Sequence, residues 1–189
     1  MDLTALELPG ACLLSPKRFR DARGFFVEQY NKKTLAAHGL NFDFVQDNLS
    51  LSARSGTIRG LHFQSPPSEQ TKLVSVLGGA VLDVMVDIRH GSPTYGRHVT
   101  VELTAENGLQ VLVPRGCAHG FCTLADDTLV QYKVDAYYDP ARDLGLLWND
   151  PDLGIRWPVA AAAAVLIEKD RKHPRLRDLP RHFAWTEQA

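Results

Sequence analysis

The sequence contains few cysteines, no long apolar run and no excess of charge of either sign. Cys12, Cys117 and Cys122 are odd in number and form no C-x-x-C pair, so we predict small buried thiols rather than a disulfide framework. The 21 basic and 22 acidic side chains give a net charge of −1, which provides no bulk attraction for nucleic acid or an anionic membrane. No apolar stretch approaches the ~18 residues of a membrane span, and the N-terminus lacks the basic and apolar regions of a signal peptide. We therefore expect a soluble, cytoplasmic protein with neither a nucleic-acid nor a membrane partner.

The middle of the chain shows the period of two that is typical of β-strands. In residues 81–89 apolar and polar side chains alternate, which predicts a half-buried strand and leaves Asp83 and Asp87 as either solvated or functional carboxylates. Residues 98–104 alternate in the same way. An Asn-Gly turn and the run LQVLVP follow them, and together these features predict a β-hairpin.

Only short helices are predicted. In NKKTLAAHGL, Asn31 is placed to cap the helix N-terminus and Gly39 to end the helix. The segment PVAAAAAVLIEKDRKHP, residues 158–174, has helical propensity, yet prolines bracket it and its Val-Leu-Ile run fits a strand equally well, so both structures remain open. Many short strands punctuated by Gly and Pro, without a repeat or linker, predict a mainly β protein. We expect one domain over residues 1–189, a jelly-roll β-sandwich or barrel with a few short helices.

A histidine motif follows the predicted hairpin. VPRGCAHGF places His119 in the spacing P-x-G-x-x-H, which resembles the second motif of the cupin superfamily. A metal-binding cupin also carries G-x5-H-x-H and a downstream glutamate, so that imidazoles and a carboxylate converge on one cation. Here His62 matches the first histidine, but Gln64 replaces the second, and Glu69 would have to be the carboxylate, with the cationic Lys72 close behind it. We therefore predict no metal, and a metal-dependent cupin enzyme using His62, Glu69 and His119 is the alternative.

Without a metal, the polar side chains of the predicted barrel form an acid–base set. His62 lies in the strand-like run RGLHFQ, Lys72 follows it, and Tyr132 shares an apolar row with Val130 and Val134. Taken singly, each has an ordinary interpretation: a structural histidine, a surface lysine and a core tyrosine. From these residues alone, the catalytic and the structural interpretations both stay open.

An ordered set of motifs extends over most of the chain, from about residue 9 to about residue 179. The set consists of DARGFFVEQYN, VQDNLS, TIRGLHFQ, KLVSVLGGAVLDVMVDIRHGSPTYG, VPRGCAHGF, YKVDAYYDP, LWNDPDLGIRWP and EKD. Short pieces such as RGFF are weak signals, whereas RGLH, DIRHGSPTYG and WNDPDLGI in this order are highly specific. The sequence resembles the dTDP-4-dehydrorhamnose 3,5-epimerase family.

This resemblance implies a metal-free, cofactor-free cupin jelly roll that dimerises and inverts the two carbons flanking the ketone of a dTDP-linked 4-keto-6-deoxy sugar. In dTDP-rhamnose biosynthesis it would convert dTDP-4-dehydro-6-deoxy-D-glucose to dTDP-4-dehydro-L-rhamnose. By the same resemblance His62 is the base and Asp170 of EKD pairs with it. Lys72 would donate to the ketone oxygen, and Tyr132 would be the acid on the opposite face. A relative on the same scaffold that inverts one carbon, or moves the ketone, remains an alternative.

The resemblance also implies a set of substrate-binding residues. The set comprises Arg23 and Arg59 for the pyrophosphate and sugar, Phe26 and Tyr138 for the thymine, Glu28, Gln46 and Asn48 for polar contacts, and His119, which Asp83 would orient. Because the N-terminal strand crosses to the partner in such homodimers, we expect some of these residues to serve the partner's site. Phe25 and Phe26 face opposite ways on a strand, so only one of them points into a pocket, and core packing is the alternative for both.

Overall fold

Two antiparallel β-sheets form the frame of the protein. The computed structural model describes residues 1–186. Along the six-stranded sheet the strands are β1 (Asp2–Ala5), β2 (Cys12–Ser15), β11 (Gln110–Val113), β7 (Lys72–Gly78), β13 (Thr128–Val134) and β5 (Gln46–Ser52). Along the five-stranded sheet they are β10 (His98–Thr104), β8 (Ala80–Asp87), β12 (Cys117–Thr123), β6 (Ile58–Gln64) and β14 (Asp143–Gly145). The remaining elements are the hairpin β3 (Arg18–Asp21)–β4 (Gly24–Val27), the parallel pair β9 (Arg89–His90)–β15 (Phe183–Ala184), helix α1 (Lys32–Ala37) and a 3-10 turn, Leu176–Asp178.

The main hydrophobic core lies between the two sheets. Val74 of β7 and Val111 of β11 pack in one cluster with Met85 of β8 and Phe121 of β12, so apolar faces of both sheets meet. Two sheets that pack face to face in this way are the layers of a jelly roll, which confirms the predicted fold class.

Strand β8 is buried on both faces, which corrects the prediction of a half-buried strand. Val84 and Val86 lie under a second cluster that the C-terminal part of the chain covers, while Met85 faces the inter-sheet core. Asp83 and Asp87 are therefore buried rather than solvated. The carboxylate of Asp87 is compensated by hydrogen bonds from Arg89, Ser92 and Thr94.

The predicted hairpin between residues 98–104 and LQVLVP is wrong. β10 pairs with β8 in the five-stranded sheet, whereas β11 pairs with β2 and β7 in the six-stranded sheet. The Asn-Gly turn exists, because Asn107 Oδ1 accepts hydrogen bonds from the backbone N–H groups of Thr104 and Leu109. It carries the chain from one sheet to the other. The residues of a turn determine where the chain reverses direction, but they do not determine which strand the following strand pairs with.

The short helix agrees with its prediction, whereas the alanine-rich segment does not adopt either predicted structure. The Asn31 side chain caps α1 by accepting hydrogen bonds from two backbone N–H groups of its first turn, and the helix ends before Gly39. Residues 158–174 form turns and one isolated bridge, Thr57 to Val165. The backbone of Val165 bonds instead to residues 56 and 58, at 3.0 and 2.9 Å, which holds the segment against the start of β6.

The structure also shows the surroundings of the three cysteines and the length of the helices. Cys12, Cys117 and Cys122 are free and buried, as predicted, and burial raises the pKa of Cys117 to about 12. In the described part of the chain, every helix falls short of the length and apolar character needed to cross a membrane.

Strands β6 and β12 approach each other closely where two glycines meet. A Cβ atom on Gly120 would lie 2.6 Å from the Arg59 carbonyl oxygen and 3.0 Å from Gly60 Cα. The register between the two strands shifts at this point, between His119 and Phe121. The close approach places His62 of β6 beside His119 of β12 as registered partners.

We predict that Gly120→Ala lowers the free energy of unfolding by about 2–3 kcal/mol, because the added methyl group meets backbone atoms and the two strands must separate. The matched control is Gly78→Ala, also in a strand, where the new Cβ would make an ordinary contact 3.6 Å from Leu129 Cβ. That substitution should change stability by less than about 1 kcal/mol. Chemical denaturation of the three proteins checks the prediction, and equal effects of the two substitutions would contradict it.

Candidate active site

A cavity of about 760 Å³ opens between the sheets, a size suited to a small-molecule ligand. One wall comes from β5, β7 and β13, the facing wall from β6 and β12, and residues 165–167 and Asp170 border it. Nine residues predicted from the sequence line this cavity: Gln46, Asn48, Arg59, His62, Lys72, His119, Tyr132, Tyr138 and Asp170.

An imidazole and a carboxylate form a hydrogen-bonded pair at one wall. His62 Nε2 lies 2.8 Å from Asp170 Oδ1, and the other oxygen of Asp170 accepts a hydrogen bond from the Gly60 N–H. Burial raises the pKa of Asp170, but interactions with His173, His62 and the Gly60 N–H outweigh it and hold the pKa well below its usual range. The carboxylate is therefore ionised and can only accept hydrogen bonds. Neutral His62 must donate through Nε2–H, which leaves the Nδ1 lone pair free.

An ammonium and a phenol stand on the facing wall. Lys72 of β7 and Tyr132 of β13 lie on adjacent strands, and Lys72 Nζ is 5.9 Å from the centre of the Tyr132 ring. Burial lowers the pKa of Lys72 to about 8, against the opposing effect of the charges of Asp143 and Asp83. Burial raises the pKa of Tyr132, so its hydroxyl keeps its proton near neutral pH. The wall opposite His62 thus offers two proton donors.

A second imidazole–carboxylate pair lies deeper in the barrel. His119 Nε2 is 2.8 Å from Asp83 Oδ2, and both side chains are buried. The Oδ1 atom of Asp83 has no hydrogen-bond partner among the described residues. The inward face of β8 thus brings Asp83 to the cavity's second histidine.

Four of the predicted substrate-binding residues that line the cavity are held by hydrogen bonds. Arg59 is held by hydrogen bonds to the Ser52 hydroxyl and the Leu51 carbonyl. Gln46 donates to Asn48 and accepts from the backbone N–H of Tyr138. These contacts fix one guanidinium, two side-chain amides and the backbone of Tyr138 in the lining of the cavity.

Three of the predicted substrate-binding residues lie outside this cavity. Arg23 and Phe26 belong to the β3–β4 hairpin, where 90% of the Arg23 side chain and 71% of Phe26 are exposed. Glu28 accepts hydrogen bonds from Asn31 and Thr34 beside helix α1. The single chain therefore does not bring these residues to the site.

Sequence reasoning missed two charged residues of the site. Asp143 of β14 lines the cavity and accepts a hydrogen bond from the Tyr138 hydroxyl at 3.2 Å. Lys169 Nζ lies 2.5 Å from the same Asp143 oxygen. Lys169 belongs to the EKD triplet that the resemblance used only for Asp170, so that motif contained a signal. Asp143 gave no such signal, because its neighbours in the sequence are typical of a turn.

The residues of the metal-dependent alternative are not gathered in the structure. Glu69 lies near Arg115, with 3.7 Å between its Oε1 and Nη1, and within residues 1–186 it joins no cluster of metal-ligand geometry with His62 and His119. Gln64 is fully engaged, because its amide donates to the carbonyls of Ser68 and Tyr137 and accepts from the Asp139 N–H. The glutamine at this position joins two loops rather than offering a ligand.

This arrangement can remove a proton and return one from the other side. A base on one wall faces an acid and a cation on the other, across a space large enough for a sugar. A jelly roll with such a cavity holds the groups that an acid–base isomerase requires.

Comparison with known proteins gives the family. The family described as dTDP-4-dehydrorhamnose 3,5-epimerase matches residues 5–178. The enzyme of that name from Sinorhizobium fredii is 47% identical over 186 residues, covering 98% of this chain and 95% of the relative. The crystal structure of dTDP-6-deoxy-D-glucose-3,5-epimerase from Legionella pneumophila, in complex with dTDP-4-keto-L-rhamnose, has a TM-score of 0.93 at 38% identity and 98% coverage of each chain. ChmJ, a 3′-monoepimerase from Streptomyces bikiniensis in complex with dTDP-quinovose, has a TM-score of 0.85 at 36% identity, covering 91% of this chain and 86% of that one.

The chain belongs to the dTDP-4-dehydrorhamnose 3,5-epimerase family, and the resemblance predicted from its motifs is confirmed. It is therefore an enzyme, an epimerase of dTDP-linked sugars.

We predict that Lys72 titrates near pH 8 in the free enzyme and that Asp143→Asn lowers this value further. The substitution removes a negative charge that favours the ammonium. NMR of ¹³C-methylated lysines, with Lys72→Arg to assign the signal, measures the pKa. Asp47→Asn, which removes an exposed carboxylate of β5 bonded to Lys133, is the matched control and should leave the Lys72 titration unchanged. A pKa that does not respond to Asp143→Asn would contradict the electrostatic account.

Proposed function

We propose that this enzyme inverts both carbons flanking the ketone of dTDP-4-dehydro-6-deoxy-D-glucose and so forms dTDP-4-dehydro-L-rhamnose. One observation carries the proposal: the His62–Asp170 pair and the Lys72–Tyr132 pair line facing walls of one cavity. Inversion at carbon requires a proton to leave on one face and another to arrive on the opposite face, and facing walls provide both.

His62 removes the proton in this mechanism. Its Nδ1 lone pair accepts the proton from the carbon next to the ketone, and the electron pair of the C–H bond moves into the enolate. The imidazolium that forms is stabilised by the ionised Asp170, which accepts from Nε2–H at 2.8 Å. The arrangement is one of general base catalysis with a carboxylate that orients the base.

Lys72 stabilises the enolate, and Tyr132 completes the inversion. The Lys72 ammonium donates to the ketone oxygen as negative charge develops there, which lowers the barrier most where burial has removed water. Both reacting carbons flank the same ketone, so one cation serves both steps. Tyr132 then donates its hydroxyl proton to carbon from the wall opposite His62. Before the second inversion the imidazolium of His62 releases its proton to solvent and Tyr132 regains one from solvent.

Residues that line the cavity bind the nucleotide. Arg59 supplies a guanidinium for the pyrophosphate, while Tyr138, Gln46 and Asn48 contact the thymine. His119, oriented by Asp83, contacts the sugar at the inner end of the cavity.

A homodimer completes each site. Arg23, Phe26 and Glu28 would reach the cavity of the partner through exchange of N-terminal strands. The support for this step is exposure: Phe25 and Phe26 on β4 and Leu49 and Leu51 on the edge strand β5 are large apolar side chains open to solvent in the single chain.

The proposed function also includes the domain organisation, the lack of a cofactor and the location of the protein. Residues 1–189 form one domain, of which 187–189 lie outside the described residues. The enzyme works without a cofactor, because its own side chains supply base, acid and enolate stabilisation. Three free thiols fit the reducing cytoplasm better than an oxidising compartment.

We expect wild-type enzyme in deuterated water to place deuterium on both carbons flanking the ketone of dTDP-4-dehydro-6-deoxy-D-glucose. His62→Asn should reduce exchange and inversion together by about 10²- to 10⁴-fold, the usual contribution of a general base. NMR of the sugar follows both quantities. Exchange at one carbon only would assign a single-carbon epimerase instead. A His62→Asn variant with near-normal turnover would falsify the role of His62.

We expect Tyr132→Phe to separate exchange from inversion, because the substitution deletes only the hydroxyl and keeps the ring packed. His62 can still remove a proton and return a deuteron to the same face. The ratio of exchange to inversion at each carbon should therefore rise. A core tyrosine would instead cost about 1 kcal/mol of stability and leave the ratio unchanged, and that result would remove Tyr132 from the mechanism.

Shared sites predict complementation between two inactive variants. When Arg23→Ala and His62→Asn chains carry different tags and are co-expressed, the purified heterodimer should show about half the wild-type turnover. One of its two sites then combines an intact His62 with Arg23 of the partner subunit. If Arg23 serves its own chain, both sites are defective and the heterodimer stays as inactive as either homodimer.

A further inference from the structure

A third titratable side chain, His173, approaches the same oxygen of Asp170 that His62 contacts. Only 10% of the side chain is exposed, and its Nε2 atom is buried without a hydrogen-bond partner among the residues that the structure describes. Nε2 lies 3.7 Å from Asp170 Oδ1, too far for a hydrogen bond. Burying a polar atom without a hydrogen-bond partner costs free energy of folding, so the position of this atom needs an explanation, such as a ligand that it binds.

The three side chains form one compact group. One ligand atom from each of His62, Asp170 and His173 lies within 4.8 Å of the others. The two imidazole rings meet edge to face, with 5.7 Å between their centres. Gly145 leaves the room for this arrangement, because a Cβ atom there would lie 2.3 Å from His173 Nε2.

The chemistry of the group is that of a zinc site. Two imidazoles and one carboxylate are preferred ligands of Zn²⁺, whereas Mg²⁺ and Ca²⁺ prefer oxygen alone. Two ligand atoms at about 2.1 Å from a tetrahedral zinc stand roughly 3.4 Å apart, and the observed separations of 2.8 and 3.7 Å bracket this value. Because His62 and Asp170 line the cavity, a fourth ligand position would be open to solvent there.

We propose that His62, Asp170 and His173 bind a divalent zinc ion reversibly and that the bound ion inhibits the enzyme. This set differs from the metal-dependent alternative, because two of its ligands come from the irregular C-terminal segment and Glu69 takes no part. The proposed zinc site is inferred from the geometry of the three side chains alone, whereas the proposed inhibition rests on the proposed function of His62.

Inhibition follows from where the proton must go. Zinc at His62 Nε2 takes the place of the proton that Asp170 accepts. The neutral ring then carries its proton on Nδ1, through exchange with solvent. Nδ1 is the atom that must hold a lone pair to remove a proton from the sugar, so the zinc-bound ring is no longer a base.

Calorimetry and cobalt spectroscopy on the chelator-stripped full chain test the binding. Wild type should bind one Zn²⁺ per chain, and Co²⁺ should give the intense visible absorption of a tetrahedral site. His173→Asn should weaken binding by about 100-fold or more, since even loss of a ligand's hydrogen-bond partner costs 10- to 100-fold. His173→Cys, which keeps a zinc ligand, should retain the site and thereby show that loss in the asparagine variant is not a folding defect. His38→Asn, on the exposed end of α1, controls for adventitious surface binding.

Turnover measurements test the inhibition. Stripping metal should leave wild-type turnover intact, added Zn²⁺ should abolish it, and chelator should restore it. His173→Asn should keep its own metal-free turnover, whatever that rate is, when Zn²⁺ is added, because it lacks one of the three ligands. Wild type that binds no zinc, or His173→Asn that binds it equally well, overturns the site. Turnover that requires zinc overturns the inhibition. A chain that binds zinc through His173 but never epimerises the sugar supports the site and contradicts the proposed function instead.

Discussion

The hydrogen bond between His62 and Asp170 joins the chemistry of this protein to its fold. It links β6, an interior strand of the five-stranded sheet, to a C-terminal segment that has almost no regular structure of its own. A buried carboxylate is unfavourable unless it accepts hydrogen bonds, so Asp170 needs both His62 and the Gly60 N–H. The same requirement anchors the segment across the barrel and sets the tautomer of the base.

The two-sheet architecture explains why one cavity suits inversion at carbon. Side chains from facing sheets point toward each other across the interior, so a base on β6 stands opposite Lys72 and Tyr132 on β7 and β13. A single wall would offer proton transfer on one face only, which exchanges hydrogen without changing configuration. The pKa of Lys72 is lowered because its ammonium lies in a buried position, where it can stabilise an enolate without competition from water.

Local patterns predicted the elements of the fold better than their partners. Asn31 caps its helix, and Tyr132 lies in its apolar row, because both features depend on neighbours in the sequence. The Asn-Gly turn did not reveal that β10 and β11 belong to different sheets, since strand pairing is decided by contacts distant in sequence. Asp83 was open to a solvated interpretation for the same reason. In the site, motifs found His62 and Asp170, whereas Asp143 and His173 stand in no motif and enter through tertiary packing.

The tautomer of His62 is the most direct test of this account, and ¹⁵N NMR of the imidazole nitrogens measures it. In metal-free enzyme at a pH where the ring is neutral, we expect the proton on Nε2 and an unprotonated Nδ1. Asp170→Ala should shift the population toward the other tautomer, because the acceptor that selects Nε2–H is gone. A proton found on Nδ1 in the wild-type enzyme, or a tautomer that does not respond to Asp170→Ala, would contradict the assignment of His62 as a base oriented by Asp170.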